Sequence, residues 1–222
     1  AAYTVVNQIA APPETPQPTV QRHLARIHAL CGLEEALDCL HRWELACGYI
    51  TREHLEQVER REFPDAQTGV TFRLQVNFAR TRYTEAQERQ RAAAAGPGPC
   101  LLCRENIGRP GKERLRVYEL DVAGRGFFLQ LTPFPLYSHH FVPVLAEHVP
   151  QRLGDWTMRD MVDLLRQAPG YTVVSNSDVQ WAGASILTHL HYQMLRAVRL
   201  PVMEARPVPE LVRQAACHAG LV

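Results

Sequence analysis

The sequence predicts an α+β fold: an antiparallel sheet with helices packed on it, preceded by an N-terminal helical segment. Three observations carry that expectation. Apolar residues recur at spacings of three and four through the first part of the chain. Short apolar or alternating runs follow, punctuated by proline and polar turns. One amphipathic helical pattern is set among those runs.

The elements are taken in order. Residues 1–20 carry Pro12, Pro13, Pro16 and Pro18, which favour an extended arm over a core element. A helical segment is expected over 21–65, with Leu24, Ile27, His28, Cys31, Leu33, Ala36, Leu37 and Leu40 forming its apolar stripe. A second helical stretch follows Thr51, whose hydroxyl can cap it, and Pro64 ends the region. The main domain is expected over 66–222. It opens with the alternating run 70–78, a strand, and then meets the Ala/Gly/Pro stretch 92–99, a flexible linker. Gly126–Leu131 and Phe141–Leu145 are expected strands separated by Pro133 and Pro135. Asp155–Gln167 is an amphipathic helix with Met158, Met161, Val162, Leu164 and Leu165 as its apolar positions. Tyr171–Ser175 is a short strand, Ala184–Leu195 holds another, and Val208–His218 forms a terminal helix.

Composition narrows the function. The chain has 222 residues, 46% hydrophobic and 21% charged, with net charge +1, which excludes wholesale disorder. No apolar run approaches the roughly 20 residues that cross a bilayer. The start, Ala1-Ala2-Tyr3, lacks the basic and apolar regions of a signal peptide. Of the 24 basic residues all but Lys112 are arginine, a coding bias, and 23 acidic residues balance them. An extended nucleic-acid footprint is therefore not expected, although single guanidinium groups can clamp phosphates. Six cysteines in this length do not form a disulfide scaffold, and the expected compartment is a reducing cytoplasm.

Two constellations carry chemistry. Cys100-Leu-Leu-Cys103 can grip one metal ion from a single turn, with further ligands drawn from His139, His140, His148, His189 or His191. The same spacing admits a redox pair or coincidence, although no thioredoxin-like strand-to-helix context surrounds it. In Ser185-Ile-Leu-Thr-His189-Leu-His191-Tyr-Gln193, an extended backbone puts residues 189, 191 and 193 on one face. Such histidines can simply be solvated. The small polar stretches Ser175–Asp178 and Gly183–Ser185 upstream instead favour close approach of a phosphate.

With Phe72–Arg80, Glu147–Gln151 and Pro201–Ala205, these segments make residues 70–206 resemble galactose-1-phosphate uridylyltransferases. The likeness is to the bacterial second class and to a related, little-characterised bacterial family of the histidine-triad-like superfamily. Residues 1–65 show no such match. The resemblance implies that His191 is the nucleophile that accepts a nucleoside monophosphoryl group. It implies a metal set of Cys100, Cys103, His148 and His189, which closes a four-ligand shell around structural zinc, with iron also compatible with the donors. Gln193 stands where hydrolytic relatives carry a third histidine, so transfer to an acceptor is favoured over hydrolysis. Ser185 and Gln193 match phosphoryl contacts and Asn176 a nucleotide contact, while Asn77 and Arg80 are further substrate-binding candidates. The implied partners are a nucleotide sugar and a sugar 1-phosphate, with a homodimer and no membrane. The reaction would pass through a nucleotidyl-His191 intermediate. A phosphorylase or hydrolase of dinucleoside polyphosphates or nucleotide sugars, or a zinc-stabilised nucleotide-binding module, is the alternative. Leu190 and Tyr192 depart from the small or proline residues common around this pair. Little sequence follows Ala205, so sugar 1-phosphate contacts supplied by a second half in longer members would be missing or come from another subunit.

Overall fold

The computed structural model describes residues 15–67, 69–78, 100–109, 112–179, 186–203 and 208–218. Helix α1 (Gln17–Cys31) begins after Pro16, whose carbonyl accepts the N–H groups of Thr19 and Val20. Val20, Leu24 and Ile27 form its buried stripe. It stops at Gly32, which adopts φ 91°, a left-handed backbone that glycine enters without a Cβ penalty. Helix α2 (Leu33–Ala46) starts immediately afterwards, with Glu34 and Glu35 in its first turn facing the positive end of the helix dipole.

The helical reading fails beyond residue 57. After the short helix α3 (Arg52–Glu56), residues 58–64 form strand β1 (Val58–Pro64), not a continued helix. Glu and Arg favour helix locally, but the segment pairs with β2 (Thr71–Asn77), and Arg73 meets Glu62 across the ribbon at 2.9 Å. Chain compaction divides the protein into residues 1–59 with 77–198, and residues 60–76 with 199–222. The second unit contains most of the ribbon, a 3₁₀ turn at Pro201–Met203 and helix α5 (Pro209–His218).

The first unit is built on a five-stranded antiparallel sheet: β3 (Tyr118–Val122), β4 (Arg125–Leu131), β5 (His140–Leu145), β6 (Tyr171–Val174) and β7 (Gln193–Arg196). Its order is β3-β4-β5-β7-β6. Strand β3 is not among the expected strands, although Tyr118, Leu120 and Val122 alternate with acidic residues. Its turn to β4 places Ala123 and Gly124 at φ 52° and 81°, the two positive angles of a tight hairpin.

One sheet face, with Phe127, Leu129, Leu131, Phe141 and Met194, shares a core with α1, α2 and helix α4 (Asp155–Gln167). Helices that the sequence set apart as 21–65 thus bury their stripes against the sheet, because an amphipathic helix needs an apolar partner. Helix α4 has the expected limits but turns differently. Met158 is 63% exposed, whereas Asp160 is buried and receives hydrogen bonds from the Tyr192 hydroxyl (2.8 Å) and Arg125 (2.7 Å). Tyr192 therefore anchors the strand region beside His191 to α4. At the sheet edge, the side chains of Gln17 and Gln21 each donate to and accept from the backbone of β3 or its approach, at Val117 and Glu119 (2.8–3.0 Å). Helix α1 closes that edge against other strands.

Candidate active site and metal centre

The opposite sheet face carries Phe128, Val142 and Val144, which pack with Leu102, Leu115 and Val117. Register places the site on this same face. His140 pairs with Leu195, Val144 bridges His191, and Gln193 lies two residues from each of 191 and 195. Side chains of a strand alternate, so His140, His191 and Gln193 share one surface while Tyr192 and Met194 enter the core behind it.

Cys100 and Cys103 lie on one turn, closed by the Cys103 N–H donating to the Cys100 carbonyl (2.9 Å). The side chain of Asn106 and the Nζ of Lys112 tie the same turn through the carbonyls of Cys100 and Leu101. Their sulfurs are 3.4 Å apart. His148 Nδ1 lies 3.0 Å from Cys103 Sγ, and His189 Nδ1 lies 3.3 Å from Cys100 Sγ and 3.7 Å from Cys103 Sγ. All four donor atoms fall within 4.8 Å of one another. Zinc–sulfur bonds of about 2.3 Å and zinc–nitrogen bonds of about 2.0 Å put tetrahedral donors roughly 3.3–3.8 Å apart, so one ion fits this set.

The tautomer fits as well. His189 Nε2 donates to the Leu145 carbonyl at 2.8 Å, which leaves Nδ1 without a proton and aimed at the thiols. Burial, then the adjacent Cys100 sulfur, pushes the Cys103 thiol up to about 11, so its thiolate needs a cation beside it at neutral pH. A shell of two sulfurs and two imidazoles accepts zinc or iron.

His191 is buried, and its backbone N–H donates to Gln151 Oε1 at 2.9 Å. Its Nδ1 donates to the His189 carbonyl (2.8 Å), so the lone pair sits on Nε2. Asn176 Nδ2 is 3.3 Å from that Nε2. Burial lowers the His191 pKa, which keeps the ring neutral and nucleophilic near pH 7. Gln151 is 2% exposed and donates from Nε2 to Ser175 Oγ (3.2 Å), linking the segment that carries His191 to the loop that carries Asn176.

The structure thus brings Asn176 to His191 and gathers Cys100, Cys103, His148 and His189. Gln193 is held by His140 at 2.5 Å. Asn77 ends β2 with its side chain donating to the Phe134 carbonyl (3.2 Å). Arg80 and Ser185 lie outside the described residues. Gln151 stands in the Glu147–Gln151 segment of the resemblance, and its place after a histidine and a proline carries no local sign of its contact with His191. His139, a ligand candidate on spacing, instead meets Asp38 at 3.0 Å and stacks on His41.

A family model described as a domain of unknown function (DUF4922) matches residues 38–196. The chain is 27% identical over 197 residues to the galactose-1-phosphate uridylyltransferase of Caldanaerobacter subterraneus subsp. tengcongensis, covering 86% of this chain and 38% of that protein. It is 28% identical over 170 residues to the galactose-1-phosphate uridylyltransferase of Halalkalibacterium halodurans, covering 73% and 33%. A crystal structure of yeast Ap4A phosphorylase Apa2 in complex with AMP superimposes with TM-score 0.48 and 14% identity, covering 77% of this chain and 51% of that one. The chain spans about a third of the length of the curated relatives named here.

Proposed function

The chain belongs to the DUF4922 family, and we propose that it is a nucleotidyltransferase that moves a nucleoside monophosphate from a nucleotide sugar to a sugar 1-phosphate through His191. The observation that carries this reading is the His191 hydrogen bond from Nδ1 to the His189 carbonyl, which leaves a buried Nε2 lone pair beside Asn176. A binding module has no need of a nucleophile prepared in this way. Similarity to proteins named galactose-1-phosphate uridylyltransferase supports the same chemistry.

His191 Nε2 attacks the α-phosphorus, a P–N bond forms, and the bond to the sugar 1-phosphate breaks with its electron pair leaving on that phosphate. The ring becomes cationic, and the Nδ1–H donation to the His189 carbonyl stabilises it. A second sugar 1-phosphate then attacks the same phosphorus, and Nε2 recovers its lone pair. Leaving group and acceptor are both weakly basic phosphates, so positioning and charge stabilisation dominate over proton transfer. Asn176 holds Nε2 until substrate arrives. Cys100, Cys103, His148 and His189 would hold zinc as a four-residue set, and the bound ion would supply a structural tie that fixes the chain two residues before His191. Outside that proposed centre, Cys31, Cys39 and Cys47 are free thiols among the described residues, in keeping with a reducing compartment such as the cytoplasm.

Intact-protein mass spectrometry after incubation with nucleotide sugars tests the reading. The expected result is a gain of one nucleoside monophosphate, lost in His191→Ala and discharged by sugar 1-phosphate. Discharge by inorganic phosphate alone would identify a phosphorylase, and discharge by water a hydrolase. No adduct from nucleotide sugars, nucleoside triphosphates or dinucleoside polyphosphates, quenched without acid, would overturn covalent catalysis.

A further inference from the structure

The carboxamide of Gln193 has a donor end and an acceptor end, and the structure determines which end is taken. The Leu136 backbone N–H donates to His140 Nδ1 at 3.1 Å. That nitrogen therefore carries no proton, and the hydrogen of the neutral ring lies on Nε2. His140 Nε2 is 2.5 Å from Gln193 Oε1, so the ring donates and the carbonyl end accepts. The end of Gln193 that remains is its NH₂ group. His140 is 6% exposed and lies on β5, with Gln193 on the neighbouring β7, so both partners are fixed by the sheet.

We propose that His140 is a positioning residue that locks the Gln193 carboxamide with its NH₂ turned to the reacting group, so that the site selects an unprotonated phosphoryl oxygen. A backbone amide thereby sets the polarity of the site through two side chains: Leu136 N–H orders His140, and His140 orders Gln193. The inference rests on the His191 reading for the identity of the phosphoryl group, but the polarity of the carboxamide stands independently of it. A freely rotating glutamine would offer its carbonyl to an anionic phosphate half the time and repel it. Held by His140, it presents a donor before substrate arrives, which is the preorganisation that makes a single hydrogen bond effective in transferring charged groups.

Two measurements test this. The first is the ¹⁵N spectrum of the histidine rings, which distinguishes Nδ1–H from Nε2–H tautomers. The expected form for His140 is Nε2–H, and an Nδ1–H ring would overturn the inference. The second is the rate of His191 adduct formation in His140→Phe, Gln193→Ala and the double variant, each checked for native melting behaviour. His140→Phe is expected to slow the adduct by about 100-fold, the lower end of the range for losing one oxyanion donor, yet by less than about threefold on the Gln193→Ala background. A merely structural role would slow both backgrounds alike, and that result would overturn the inference. Gln193→Glu, which turns a charged oxygen to the phosphoryl group, is expected to be slower than Gln193→Ala, and the reverse order would count against a donor at this position. If the wild-type chain forms no adduct, the His191 reading falls, and the His140 tautomer alone then decides the carboxamide polarity.

Discussion

Gln151→Leu removes a buried carboxamide that holds the backbone of His191. In the native chain Oε1 accepts the His191 N–H at 2.9 Å and Nε2 donates to Ser175 Oγ at 3.2 Å. Leucine fills most of the same space, so the cost is polar. The His191 N–H, buried with the rest of that residue, loses its acceptor, which costs about 1–3 kcal/mol. The Ser175 contact adds about 1 kcal/mol, although Ser175 keeps its own donation to the Asn176 carbonyl (2.9 Å). The backbone N–H of residue 151 still bonds the Leu187 carbonyl, so the chain path is unchanged. The net expectation is a loss of about 2–4 kcal/mol, read as a lower urea midpoint at an unchanged m-value. The proposed His191 adduct should also form more slowly, because the segment bearing His191 and the loop bearing Asn176 lose their shared tie. A stability loss below about 0.5 kcal/mol would show that the His191 amide finds another acceptor, and the positioning argument for Gln151 would fall.

Three further outcomes are expected. Cys103→Ser should lower bound metal, measured by elemental analysis of the purified protein, and unchanged metal content would dismiss the proposed four-residue centre. Burial, and then the charge of His139, hold His41 at about 4 against an ordinary 6.5. Between those values the unfolded chain binds more protons, so this group's contribution is full above about pH 6.5 and is lost as pH falls toward 4, by about 3 kcal/mol. His41→Phe should flatten the acid side of a stability–pH profile relative to wild type, and parallel profiles would contradict the burial argument. The double change Gln17→Ala with Gln21→Ala should leave four backbone groups of the β3 edge unpaired by α1. Greater self-association in analytical ultracentrifugation is then expected, and an unchanged sedimentation profile would show that the edge is protected without those glutamines.

Patterns with short reach were legible in the residues. The Cys100–Cys103 turn needs only two thiols three positions apart, and the strand period places His191 and Gln193 on one face whatever the rest of the chain does. Helix α1 and helix α2 were visible for the same reason, since a stripe at spacings of three and four belongs to the helix itself. Residues 58–64 were not, because their Glu and Arg favour helix until pairing with β2 supplies a competing set of backbone hydrogen bonds. Composition and local pattern thus reached the histidine pair, the thiol pair and the α+β class, and the family resemblance singled out His191 as the nucleophile candidate. The tertiary structure decided which atoms of those residues are used. Gln151 lies 40 residues from His191 and His140 lies 53 residues from Gln193. A histidine's proton and a carboxamide's orientation are set by the acceptor or donor that packing brings to the other end, and no local spacing encodes that partner.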